Sequence, residues 1–185
     1  MRAFFLALLL AIGMLSSTGA SATEAGWALL REGGHVVLLR HAYAPGPAGE
    51  NDIEDCGDRH RGISERGRQQ ARRMGALFDT RAEPVERVLS GRSCRCVQTT
   101  EIAFRDEKVE LVPFLDLPRD DAEREANRAA IMKEITGFSG QGNMVLVTHL
   151  EVIRALTGQS PREGEALIVQ PRGDDLHVLG RIVFN

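Results

Sequence analysis

Apolar residues fall along the chain in two patterns: short continuous runs, and stretches where they recur at helical spacing. The run Val36-Val37-Leu38-Leu39 leads into Arg40-His41, and Met144-Val145-Leu146-Val147-Thr148 leads into His149. A continuous apolar run bounded by polar residues is the mark of a strand buried on both faces of a parallel sheet. Ligands of open α/β sheets bind beyond the carboxyl ends of the strands, which is where both histidines then stand.

Between these runs the periodicity switches to that of helices. A short helix is predicted over 24–31, broken by Gly33-Gly34 before the first strand. Residues 43–62 are rich in Gly, Pro and Asp, a long loop of the kind that carries function. Ser64 is a good N-cap for a helix over 64–79 that buries Ala71, Met74, Leu77 and Phe78. Its arginines, Arg66, Arg68, Arg72 and Arg73, belong on the solvated face. A strand over 87–90, a helix over 95–104 and a strand over 109–115 interrupted near Pro113 follow. A helix over 120–136, the strand ending at His149, a short helix over 151–156 and strands over 165–170 and 177–183 complete the pattern. Alternating strands and helices predict one α/β domain of three layers, α/β/α, around a mostly parallel central sheet.

The first segment stands apart. Arg2, the apolar run 3–15 and the small-x-small triplet Ala20-Ser21-Ala22 predict a secretory signal over 1–22, removed to leave a domain over 23–185. The alternative is a buried core helix. The run is too short for a membrane anchor, so a soluble periplasmic or secreted protein is expected. A formal net charge of −3 over 185 residues argues against nucleic acid as a partner. Cys56, Cys94 and Cys96 permit one internal bridge in an oxidising compartment. Cys94 and Cys96 are too close in sequence to join comfortably, so Cys56 is expected to pair with one of them, Cys96 being favoured over Cys94. No CxxC pair is present, and no metal site or other cofactor is expected.

The strand ends carry the chemistry. Arg40 and His41 leave the first strand, the segment from Ser90 to Arg95 leaves the second, and His149 leaves the Met144 strand. If these strands are neighbours, two imidazoles and two or three guanidinium groups share one crevice, which is a phosphate pocket. Arginine stays charged and offers a planar fork to two phosphoryl oxygens. Neighbouring cations disfavour protonation of an imidazole and leave it a nucleophile.

These segments resemble the signatures of the histidine phosphatase superfamily, phosphoglycerate mutase-like proteins that include many phosphomonoesterases. Val37-Leu38-Leu39-Arg40-His41-Ala42 is similar to its Arg-His-Gly motif, with Ala42 in place of the glycine. In Ser90-Gly91-Arg92-Ser93-Cys94-Arg95-Cys96-Val97-Gln98-Thr99 an arginine stands five residues after the strand-terminal serine and a threonine four later, as in the second signature. Val145-Leu146-Val147-Thr148-His149 resembles the third, and Ile63-Ser64-Glu65-Arg66-Gly67 the helix between the first two. The resemblance spans nearly all of 23–185 and points to a small bacterial-type member. It implies a metal-independent phosphomonoester hydrolase in which His41 is the nucleophile and Arg40, Arg95 and His149 bind the transferred phosphoryl group. The asparagine of mutase-like members is missing after Tyr43, which favours hydrolysis over mutase activity.

The resemblance also implies a carboxylic acid that protonates the leaving oxygen, from the segment after the third strand. Asp116 ranks first, then Asp120, with Asp121 beside them and Glu151 more distant. His60, between Arg59 and Arg61, is a further candidate contact for an anionic substrate, whereas His35 reads as a surface residue and His177 as structural. The expected substrate is a phosphorylated small molecule or an envelope glycan or lipid phosphate. The alternatives are a phospho-ligand binding protein without turnover and a phosphotransferase.

Overall fold

The computed structural model describes residues 18–46, 56, 62–82 and 84–184. The elements are α1 (Thr18–Glu32), β1 (Val36–Arg40), α2 (Glu65–Arg81), β2 (Val85–Ser90), α3 (Cys94–Ala103), β3 (Val109–Leu111), a 3-10 turn (Pro113–Leu115), α4 (Asp121–Gly137), β4 (Asn143–Thr148), α5 (Leu150–Thr157), β5 (Glu165–Arg172) and β6 (Asp175–Val183). They build a six-stranded sheet in the order β3-β2-β4-β1-β5-β6. β3, β2, β4 and β1 run parallel; β5 pairs antiparallel with both β1 and β6.

Alternation along each strand divides the core into two. Val37, Leu39, Val145 and Val147 pack with Trp27, Leu30, Met74 and Phe78 beneath α1 and α2. Val36, Leu38, Met144 and Leu146 pack with Ile131, Ile135, Ile153 and Leu156 beneath α4 and α5. This is the three-layer α/β/α domain, and burial of both faces explains why the β1 and β4 runs are apolar throughout.

Ser64 caps α2, its side chain accepting from the Gly67 N–H. Gly67 is required by close approach: a Cβ there would sit 2.2 Å from the Tyr43 carbonyl oxygen. Arg66, Arg72 and Arg73 are exposed and Arg68 partly so. α1 is longer than the sequence predicts and begins inside the expected signal, whereas its core anchors Trp27 and Leu30 both lie after residue 22. The third strand is shorter. β3 stops at Leu111 because Pro113, just beyond it, has no N–H to extend the ladder and opens a 3-10 turn.

The favoured disulfide is corrected. Cys56 is joined to Cys94, and the free thiol is the buried Cys96. Two residues along a helix rotate a side chain by about 200°. Cys94, first in α3, therefore faces the loop that bears Cys56, and Cys96 turns beneath the sheet end toward His149. His35 and His177 lie outside the crevice; His35 approaches Glu32, and His177 is exposed on β6. His60, Arg59, Arg61 and most of the predicted signal lie outside the described residues.

Candidate functional site

Register brings the strand ends together. Arg40 stands opposite Thr148 across β1 and β4, and Ser90 opposite Val147 across β2 and β4. Both neighbouring chains continue the ladder past the strand ends: His41 donates its N–H to the Thr148 carbonyl at 3.1 Å, and Gly91 to Val147 at 3.0 Å. His41 and His149, 2% and 1% exposed, thus face each other with ring centroids 5.2 Å apart.

His41 is oriented by backbone on every side. Its Nδ1 lies 2.9 Å from the Ala42 carbonyl oxygen. A carbonyl can only accept, so Nδ1 carries the proton and Nε2 keeps its lone pair. The Ala42 N–H donates to Thr99 Oγ1, and that hydroxyl donates to the Arg95 carbonyl, tying the loop that bears His41 to α3. From below, the Gly164 N–H reaches the carbonyls of Arg40 and His41, with Gly164 at a φ of 71° that favours glycine.

The cations are fixed as firmly. Arg95 is 3% exposed, and its terminal nitrogens donate to the carbonyls of Pro45 and Gly46 at 3.0 and 3.3 Å. Arg40 donates from Nη1 to the Pro161 carbonyl, and its Nη2 lies 3.8 Å from Glu163 Oε1. Its Nε is buried with no partner among the described residues. His149 precedes α5; its Nε2 lies 2.9 Å from Ser93 Oγ and 3.7 Å from Cys96 Sγ. Its Nδ1 is buried and likewise unpartnered among the described residues. Two unmatched nitrogens on two phosphate-binding candidates fit a pocket that an oxyanion completes.

The carboxylates are arranged otherwise. Asp116 is buried, and both its oxygens accept from Arg92: Oδ1 from the backbone N–H at 2.5 Å and Oδ2 from Nε at 2.7 Å. Asp120 is the N-cap of α4, accepting from the Glu123 N–H. Asp121 is exposed and pairs with Arg124, and Glu151 is exposed in the first turn of α5. The structure thus gives Asp116 and Asp120 structural partners. Sequence reasoning assigned no role to Ser93 or Glu163, placed Thr99 only within the second signature, and gave Cys96 to the disulfide. The Ser93 side chain had a local signal, as the N-cap of α3.

Electrostatics favour neutral imidazoles. Burial, with Arg40 and Arg95 nearby, lowers the His41 pKa to about 4 despite the bond to Ala42. Burial, then the neighbouring His41, Arg95 and Arg40, lowers that of His149 to about 3. A folded pKa below the unfolded value of 6.5 means that full stability is present above pH 6.5 and is lost as pH falls toward 4. Each histidine is expected to cost on the order of 2–3 kcal/mol at pH 4.5 relative to pH 7. Urea unfolding at the two pH values checks this. Equal stability at both would show that the rings are charged or solvated.

No family model and no curated protein matches the sequence. Solved structures match its fold. The chain is similar to the protein histidine phosphatase SixA complexed with tungstate, at 18% identity and a TM-score of 0.57, over 80% of this chain and 96% of that one. It is similar to a mutant phosphoserine phosphatase from Entamoeba histolytica bound to phosphoserine, at 12% identity and a TM-score of 0.58, over 80% and 95% of the two chains. The alpha-ribazole phosphatase from Shigella flexneri matches at 14% identity and a TM-score of 0.57, over 82% and 96%. The fold is therefore the phosphoglycerate mutase-like fold of the histidine phosphatases.

Proposed function

We propose that the protein is a phosphohydrolase that passes a phosphoryl group through Nε2 of His41 to water. The observation that carries this is a buried, neutral imidazole whose Nδ1 proton is held by the Ala42 carbonyl, facing His149 and flanked by Arg40 and Arg95. Nε2 attacks phosphorus and the P–O bond to the leaving group breaks, while Arg40, Arg95 and His149 stabilise the charge spread over the equatorial oxygens. Water then attacks phospho-His41, the N–P bond breaks and phosphate departs. The phosphoryl charge is met by guanidinium groups, so turnover without added metal is expected. The tungstate bound by one matching phosphatase and the phosphoserine bound by another fit the same reading.

Leaving-group preference follows from the carboxylates. Among the described residues Asp116 accepts from Arg92, Asp120 from the Glu123 N–H and Asp121 from Arg124, Glu151 is exposed, and Glu163 Oε1 accepts from the Ala44 N–H. A positioned general acid contributes about 10²–10⁴-fold to the rate. Substrates that leave without a proton donor are therefore favoured: kcat/KM for an aryl phosphate is expected to exceed that for glycerol phosphate by about 10²-fold or more. A chromogenic aryl phosphate and glycerol phosphate, assayed with a chelator present, test both points. Equal rates would place an acid at the site. Tight phosphate binding with no turnover would favour a phospho-ligand binding protein.

Export and removal of residues 1–22 belong to the same proposal. The Cys56–Cys94 bridge supports an oxidising compartment, and the core anchors Trp27 and Leu30 of α1 follow residue 22. Phosphorylated envelope components and scavenged phosphoesters are the substrates such a location offers.

A further inference from the structure

We infer that Ser93 is a positioning residue whose hydroxyl donates to Nε2 of His149 and so fixes that ring as the tautomer with its proton on Nδ1. The inference deepens the phosphohydrolase reading and rests on it. Ser93 is 4% exposed and caps α3, accepting the Cys96 N–H. Accepting the Cys96 N–H takes one of its two lone pairs and leaves its single proton for His149 Nε2 at 2.9 Å. The second neighbour of Nε2 is the Cys96 thiol, at 3.7 Å. Burial pushes that thiol up to about 12, so it keeps its proton and is also a donor. Two donors converge on Nε2, and an imidazole nitrogen that accepts leaves the proton on the other nitrogen.

That other nitrogen is the buried Nδ1 with no partner among the described residues. An N–H left unmatched in a water-poor site is costly in the free protein and is repaid when a phosphoryl oxygen arrives. Ser93 thereby performs two tasks with one hydroxyl: it caps the helix that carries Arg95, and it aims the His149 proton toward the face that His41 attacks. The opposite tautomer would present a lone pair to an anionic oxygen, repelling the group it should bind.

The test compares the parent, Ser93→Ala and Ser93→Thr. Long-range proton–nitrogen spectra of histidine-labelled protein without ligand report the His149 tautomer, and steady-state hydrolysis of an aryl phosphate reports function. The parent is expected to show Nδ1–H at His149. Ser93→Ala is expected to shift that ring toward Nε2–H and to lower kcat about 10- to 100-fold with a smaller change in KM. Ser93→Thr, which keeps the hydroxyl, is expected to restore both. An active parent with the His149 tautomer unchanged in Ser93→Ala would overturn the inference and leave Ser93 as a helix cap. A parent that hydrolyses nothing would overturn the phosphohydrolase reading itself, and the catalytic role of Ser93 with it.

Discussion

His41→Ala is expected to abolish hydrolysis, lowering kcat by about 10⁴-fold or more, because it removes the group proposed to accept the phosphoryl and hand it to water. The fold should survive. Among the described residues the side chain of His41 makes one hydrogen bond, to the Ala42 carbonyl, whereas the backbone bonds that place it, to Thr148 and from Gly164, do not depend on the ring. Loss of a buried neutral imidazole also removes part of the acid sensitivity described above, so the variant's stability should decline less between pH 7 and 4.5. Aryl phosphate turnover beside a urea unfolding curve checks both. A variant within tenfold of the parent would remove His41 from the chemistry.

Arg95→Met is expected to lower kcat/KM by about 10²–10³-fold, the scale for losing a preorganised donor from a site where negative charge develops. Arg95→Lys should recover little of it, since an ammonium cannot hold two oxygens in the plane of a fork. The stability cost should be modest. Arg95 tethers the Pro45 and Gly46 carbonyls, and the exposure of Pro45 and Gly46 lets water replace the lost donors. Kinetics of both variants against the aryl phosphate decide the matter. A lysine variant as active as the parent would mean that charge alone matters at this position.

The parts of the fold written in local pattern were legible. The apolar runs of β1 and β4, the Ser64 cap and the helical spacing of Ala71, Met74 and Phe78 each have a cause within a few residues. The convergence of His41 and His149 could also be read, because parallel strands deliver their C-terminal residues to one edge. What depends on rotation about an element was not. The choice between Cys94 and Cys96 turns on which side of α3 each faces, and α3 begins one residue earlier than its sequence pattern suggests. The partners of Asp116 and Ser93 lie 24 and 56 residues away and are fixed only by the packing of loops.

Trapping the phosphoenzyme tests the phosphohistidine route most directly. The protein is mixed with a fast aryl phosphate, quenched in alkali, where phosphohistidine survives, and digested for mass spectrometry. A covalent phosphate on Nε2 of His41, formed at the speed of the first turnover and absent from His41→Ala, is the expected result. Phosphate on another residue, or steady hydrolysis with no covalent species at any time, would contradict it.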